Sequence, residues 1–289
     1  MNSEASELMR WMVGVDARHL AGGAVAFARW LAQGHGNDVL GVHVVEWVPS
    51  MQHRLEHAEP DDVRSRAADA LRTLEQDAHF TELGAIVATA AEDGLETAVD
   101  SKKADALVLG RRAPRSGSGV VRLGRVARRM LRRLPVPVII VPPDLETIGD
   151  GPVVLAVDLT ESCGHAATIA ARIATAMGRD LVLMHAIHPP DRGPYFPAEV
   201  WDLAMSDLRD RSEQGFLTWA DRHGVGAAER IIIEGPPVQM VVELAEERDA
   251  CLLVVGSRQL GGLERLFLSS LGSELAASSP RPVAVVPPR

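Results

Sequence analysis

The chain has 289 residues, 46% of them hydrophobic, enough for two domains of ordinary size that each bury a core. A net charge of −9, with a single tyrosine and five phenylalanines, argues against general nucleic-acid binding and leaves few platforms for stacking on single strands. The polar start, the lack of an apolar run near about 20 residues, and two cysteines without CxxC spacing (Cys163, Cys251) argue against a secretion signal, a membrane span, a disulfide framework and a zinc site, so the expectation is a cytoplasmic protein.

In chain order, residues 11–16 form a short apolar run that ends in Asp16, as a buried parallel strand does. A helix is expected over 22–33 and a strand over 38–45, with His43 near its end. From Asp61 the apolar residues Val63, Ala67, Ala70, Leu71 and Leu74 recur at helical spacing, and Asp61 or Asp62 is a candidate cap. Strand 85–88, helix 94–103 and strand 105–110 follow. A Gly/Ser/Pro loop then leads into a helix that ends near Leu134 and a strand over 136–141.

Residues 142–151 read as a linker, and the order then repeats. The second half gives strand 153–158, helix 162–177, strand 181–187, helix 198–223, strand 230–233, helix 237–248, strand 251–256, helix 269–278 and strand 283–286. Strands alternating with helices imply parallel sheets covered on both faces. Three positions match between the halves at strand ends: Asp16 with Asp158, His43 with His185, and Gly110 with Gly256. In open sheets of this kind ligands sit beyond the carboxyl ends of the strands, so the matched positions mark a candidate site.

The order of these features resembles the universal stress protein family in its tandem form, over nearly the whole chain. The carriers are the aspartate after the first strand, the histidine near the end of the second, the glycine after the fourth, and the matched Leu134-Pro135-Val136-Pro137-Val138 and Ser279-Pro280-Arg281-Pro282-Val283. The resemblance implies two tandem Rossmann-like domains, 1–145 and 150–289, each an open five-stranded parallel sheet with helices on both faces. It also implies pairing of strands 136–141 and 283–286 into an intrachain pseudo-dimer, and it leaves open further association as a homodimer.

ATP-binding members of that family carry G-x-x-G, nine residues, then G followed by Ser or Thr. The second half keeps Gly256-Ser257-Arg258-Gln259, nine residues, then Ser269-Ser270; Gln259 and Ser269 replace two glycines, while Gly261 and Gly262 keep the loop pliable. By this resemblance Asp158, Ala186, Val255, Gly256, Ser257, Arg258, Gly261, Gly262, Ser269, Ser270 and Leu271 would bind ATP or a related adenine nucleotide, with magnesium only if it travels with the nucleotide. The first half has a loop one residue longer, with Ala113 for glycine and Arg125 for the hydroxyl residue. Asp16, Val44, Gly110, Arg111, Gly124, Arg125 and Val126 would form a degenerate counterpart.

Other features have plainer readings. His43 and His185 fit local hydrogen bonding inside apolar strands better than catalysis. His53 and His57 have the i, i+4 spacing of a metal pair but lack a third ligand. Nine arginines lie between Arg111 and Arg133; of these Arg125, Arg128, Arg129 and Arg132 are spaced to share one helix face, which is either a solvated surface or a dock for an anion or an acidic partner. No phosphate-loop lysine motif, nucleophile elbow or HExxH is present. The leading expectation is a stress-linked regulatory protein whose nucleotide controls an unknown protein partner. The alternatives are a scaffold with both sites decayed and a slow ATPase.

Overall fold

The computed structural model describes residues 9–16, 22–33, 37–47, 59–111, 123–189, 197–257 and 270–288. The first half runs β1 (Arg10–Gly14), α1 (Gly23–Gln33), β2 (Asp38–Glu46), α2 (Pro60–Ala78), β3 (Glu82–Ala88), α3 (Ala91–Lys102), β4 (Ala106–Gly110), α4 (Arg125–Arg133) and β5 (Val138–Val141). The second runs β6 (Val153–Val157), a 3-10 turn (Glu161–Cys163), α5 (Gly164–Met177), β7 (Leu181–Ile187), α6 (Ala198–Arg222), β8 (Glu229–Glu234), α7 (Pro237–Glu247), β9 (Leu252–Gly256), α8 (Ser270–Ser278) and β10 (Val283–Val286).

Two helix starts differ from expectation for physical reasons. Helix α2 opens with Pro60, whose fixed φ suits the first helical position. Asp61 and Asp62 therefore lie inside its first turn, where negative charge favours the helix N-terminus, and neither is the capping residue. Helix α3 starts at Ala91, three residues before Gly94, because the carboxylate of Glu46 accepts the Ala91 N–H at 3.2 Å. That cap comes from the end of β2, so local sequence does not reveal it.

All ten strands join one sheet in the order β3-β2-β1-β4-β5-β10-β9-β6-β7-β8. Each five-stranded half is parallel. The halves meet where β5 and β10 pair antiparallel, with Val283 opposite Ile140, Ala284 opposite Ile139 and Val285 opposite Val138. These residues are almost wholly buried, as continuous apolar strands covered on both faces must be.

Alternation along the strands divides the core into two layers. Trp11 and Val13 join Phe27, Leu155, Ile173 and Phe216 on one face, while Met12 joins Leu107, Met130, Met184 and Leu253 on the other. Each layer holds residues from both halves. Polar contacts cross the seam too: Asn37 Nδ2 donates to the Ala176 carbonyl at 3.2 Å, and Arg172 pairs with Asp105 at 3.3 Å.

The segment 142–151, read from sequence as a linker, is fastened along its length. Leu145 and Ile148 pack on the first layer. Asp150 N–H donates to Asp249 Oδ2 and Gly151 N–H to the Asp249 carbonyl, both at 2.9 Å. The first of these bonds, with help from Arg281, holds the Asp249 carboxyl below the usual carboxylate range.

Cys163 and Cys251 are both buried free thiols, and burial pushes Cys251 up to about 11. At pH 8 a raised pKa leaves less thiolate, so Cys251 of the native protein should react with a thiol reagent on the order of 100-fold more slowly than in unfolded protein. Absorbance-monitored labelling with and without denaturant checks this. Among the described residues no helix is long and apolar enough to cross a membrane.

Candidate functional site

Within each half the strand order reverses between the first and fourth strands: β1 against β4, and β6 against β9. Loops leaving the carboxyl ends of those neighbours diverge to opposite faces and open a crevice. Gly14 lies opposite Leu109, and Ala156 opposite Val255, so the chain reaches Asp16 beside Gly110 and Asp158 beside Gly256. The matched residues from sequence thus converge at both switch points.

The histidines fix the strand ends. His43 Nδ1 lies 2.8 Å from the Val15 carbonyl, and His185 Nδ1 lies 2.9 Å from the Val157 carbonyl. A carbonyl only accepts, so each ring donates from Nδ1 and steadies the residue just before the aspartate. Val44 and Ala186 follow these histidines and are half-buried.

The loop after β6 is tightly held. Asp158 Oδ1 accepts from Thr160 N at 3.0 Å and from Thr160 Oγ1 at 2.6 Å, an arrangement typical of an aspartate that stabilises a turn. Trp219 Nε1, on α6, donates to the Thr160 carbonyl at 3.0 Å. Arg222 and His223 at the end of α6 both reach Glu161.

At Gly256 an added Cβ would meet Ala166 Cβ at 3.5 Å and Cys163 at 3.8 Å; at Gly110 it would meet Ala24 Cβ at 3.6 Å. Both are ordinary contacts, so packing does not demand glycine at either position. The next N–H in each half belongs to the sheet: Ser257 N donates to the Val286 carbonyl at 2.8 Å, and Arg111 N to the Val141 carbonyl at 2.7 Å. Val255 is buried, and Leu271, in the first turn of α8, packs on the second apolar layer. Ser270 opens α8. Arg258, Gln259, Gly261, Gly262 and Ser269 lie outside the described residues, as do Arg112, Ala113, Arg115, Arg122, His53 and His57.

The first half differs in what surrounds its crevice. Gly124 precedes α4 as its N-cap, and Val126 packs on the second layer. Arg125, which replaces the hydroxyl residue, is ion-paired with Glu46. Arg111 is 9% exposed, and its Nη1 donates to the Ser279 carbonyl of the other half at 3.0 Å. Burial lowers its pKa from the ordinary arginine value, with Asp144 opposing. Gly23, at the start of α1, donates its N–H to the Pro143 carbonyl at 3.2 Å. Arg111 is thus engaged inside the protein, Arg125 in a surface ion pair, and the Gly23 N–H at the start of α1 with the segment after β5.

The remaining arginines of α4 resolve into two sets. Arg125, Arg129 and Arg133 pair with Glu46, with Glu92, and with Asp93 and Glu96. Arg128 donates to the Leu123 carbonyl at 3.2 Å, and Arg132 is exposed. Residues 125, 128, 129 and 132 share a helix face as their spacing predicts, but the ion pairs follow an i, i+4, i+8 line in which Arg125 meets Glu46 of β2, and Arg129 and Arg133 meet the acids of α3. The matching signal was present in Glu92, Asp93 and Glu96.

The family model for the universal stress protein family matches residues 8–142 and 151–287. A universal stress protein of Mycolicibacterium smegmatis is 29% identical over 291 residues, covering 96% of this chain and 97% of its own. One from Mycobacterium tuberculosis is 31% identical over 193 residues, covering 64% of this chain; the match spans only 59% of that relative's length. Among solved structures, a universal stress protein from Archaeoglobus fulgidus has a TM-score of 0.64 at 18% identity, covering 96% of this chain and 98% of its own. A protein of unknown function from Pseudomonas aeruginosa has a TM-score of 0.69 at 15% identity, covering 98% and 94%.

Proposed function

Because the chain belongs to the universal stress protein family, we propose that it is a cytoplasmic, stress-linked regulator that binds one adenine nucleotide, ATP, in its second domain. In this reading the domains are 1–145 and 150–289. The observation that carries it is the meeting of Asp158 and Gly256 at the β6/β9 switch point, beside a loop of the family's phosphate-binding spacing. The described residues suit the nucleoside end, with Ala186 as a small floor and Asp158 beside the ribose. Phosphate binding falls to residues 258–270 and to the start of α8. Magnesium would enter only with the phosphates.

The ligand acts here as a regulator. Contact between the nucleotide and the residues after Gly256 would bias surfaces that face a partner, which is a population shift. The asymmetry between domains is supported by how the first half uses its anion-binding groups: Arg125 pairs with Glu46, Arg111 donates to Ser279 across the seam, and the Gly23 N–H at the start of α1 donates to Pro143. Equilibrium dialysis with labelled ATP should give one bound nucleotide per chain. Absence of binding at millimolar ATP would instead support a scaffold with both sites decayed, the reading favoured by Gln259, Ser269 and Ala113 standing where glycines belong.

A further inference from the structure

Among the described residues, the exposed large hydrophobic side chains are Val200, Leu203 and Leu217, at 54, 69 and 46% exposure, and all three belong to α6. Helix α6 turns Phe216, Trp219 and Ala220 into the core. Val200, Leu203, Asp207, Asp210, Gln214 and Leu217 follow alternating steps of three and four, which places them along the opposite face. All six are exposed. The equivalent helix of the first half, α2, shows aspartates, arginines, Ser65 and Ala70 at its described exposed positions. Among the described side chains, exposed large apolar residues are thus found on α6 and not on α2.

We propose that this outer face of α6 docks a basic amphipathic helix of a partner protein. Its apolar ends supply contact area, and the exposed Asp207 and Asp210 between them supply negative charge. The three basic side chains of the helix are engaged or offset: Arg209 pairs with Glu234, Arg222 with Glu161, and Arg211 lies to one side of the stripe. The same charges disfavour a second copy of this chain. Antiparallel self-pairing that sets Val200 opposite Leu217 brings Asp207 opposite Asp210, and parallel pairing sets each aspartate against itself. The inference stands apart from the nucleotide reading, since it uses neither Asp158 nor the loop after Gly256.

The probe is a synthetic helical peptide of about 18 residues, matching the roughly 25 Å between Val200 and Leu217. It carries leucine along one face with lysine and arginine flanking; a twin carries glutamate at those flanking positions. Wild-type protein should bind the basic peptide and not the acidic one, with affinity falling as salt rises. Leu203→Glu should weaken binding about tenfold or more, and Asp207→Asn with Asp210→Asn severalfold. Leu203 is mostly exposed, so circular dichroism and melting of that variant should match wild type. Leu203→Glu also adds negative charge, so undiminished binding of the basic peptide would expose mere charge attraction and overturn the proposal. Equal binding of the acidic twin, no binding of the basic peptide at millimolar concentration, or a wild-type dimer that Leu203→Glu dissociates would each overturn it too.

Discussion

Gly23→Ala is expected to destabilise the protein by about 3 kcal/mol, at the upper end of the usual cost of overpacking. An added Cβ would stand 1.8 Å from the Pro142 carbonyl oxygen, 3.0 Å from its carbon and 3.1 Å from Leu145 Cβ. Neither side can retreat cheaply. Helix α1 is anchored through Phe27, Ala28 and Leu31, which are buried to 1% exposure or less. The opposing backbone directly continues β5, whose register with β4 and β10 is set by the ladder. A thermal melt should show the loss as a fall of roughly 5 °C in Tm for a chain of this size. Gly84→Ala is the control, because a Cβ there meets nothing within 4 Å. Similar melts for both variants would mean that the contact between α1 and the segment after β5 is looser than its geometry requires.

The regular parts of this fold were legible because each strand is an apolar run and each helix has a periodic face. The runs at 138–141 and 283–286 are wholly buried strands, and the switch-point residues Asp16, Asp158, Gly110 and Gly256 lie where parallel-sheet logic puts them. Contacts between distant segments were not legible. Arg111 reads as an anion ligand in sequence because it follows the glycine, yet it bonds to Ser279, 168 residues away. Glu46 reads as the end of a strand, yet it caps α3 and holds Arg125. Charge and spacing restrict what a side chain can do; which partner it meets is decided by how helices settle on the sheet. The fastening of 142–151 is of the same kind, since proline, glycine and acids describe a linker equally well whether it is free or pressed against Arg248 and Asp249.

The matched glycines permit a second test of large effect, one that separates ligand loss from damage to the fold. Gly256→Ala should weaken ATP binding about tenfold or more, equivalent to at least about 1.4 kcal/mol, while Gly110→Ala should leave it unchanged. At both positions an added Cβ finds only ordinary contacts, 3.5 Å to Ala166 and 3.6 Å to Ala24, so both variants should fold and melt close to wild type. Any difference in nucleotide affinity then reports what approaches the backbone beyond the strand. In the proposed reading the nucleotide lies against the main chain at Gly256 as it passes from Asp158 to the phosphate-binding residues, which would leave no room for a methyl group. At Gly110 the neighbouring Arg111 is turned into the seam, so a methyl group there would displace no ligand. Isothermal titration of the two variants beside wild type decides the matter. Equal losses at both would assign the nucleotide to both domains, and no loss at Gly256 would remove it from the second switch point.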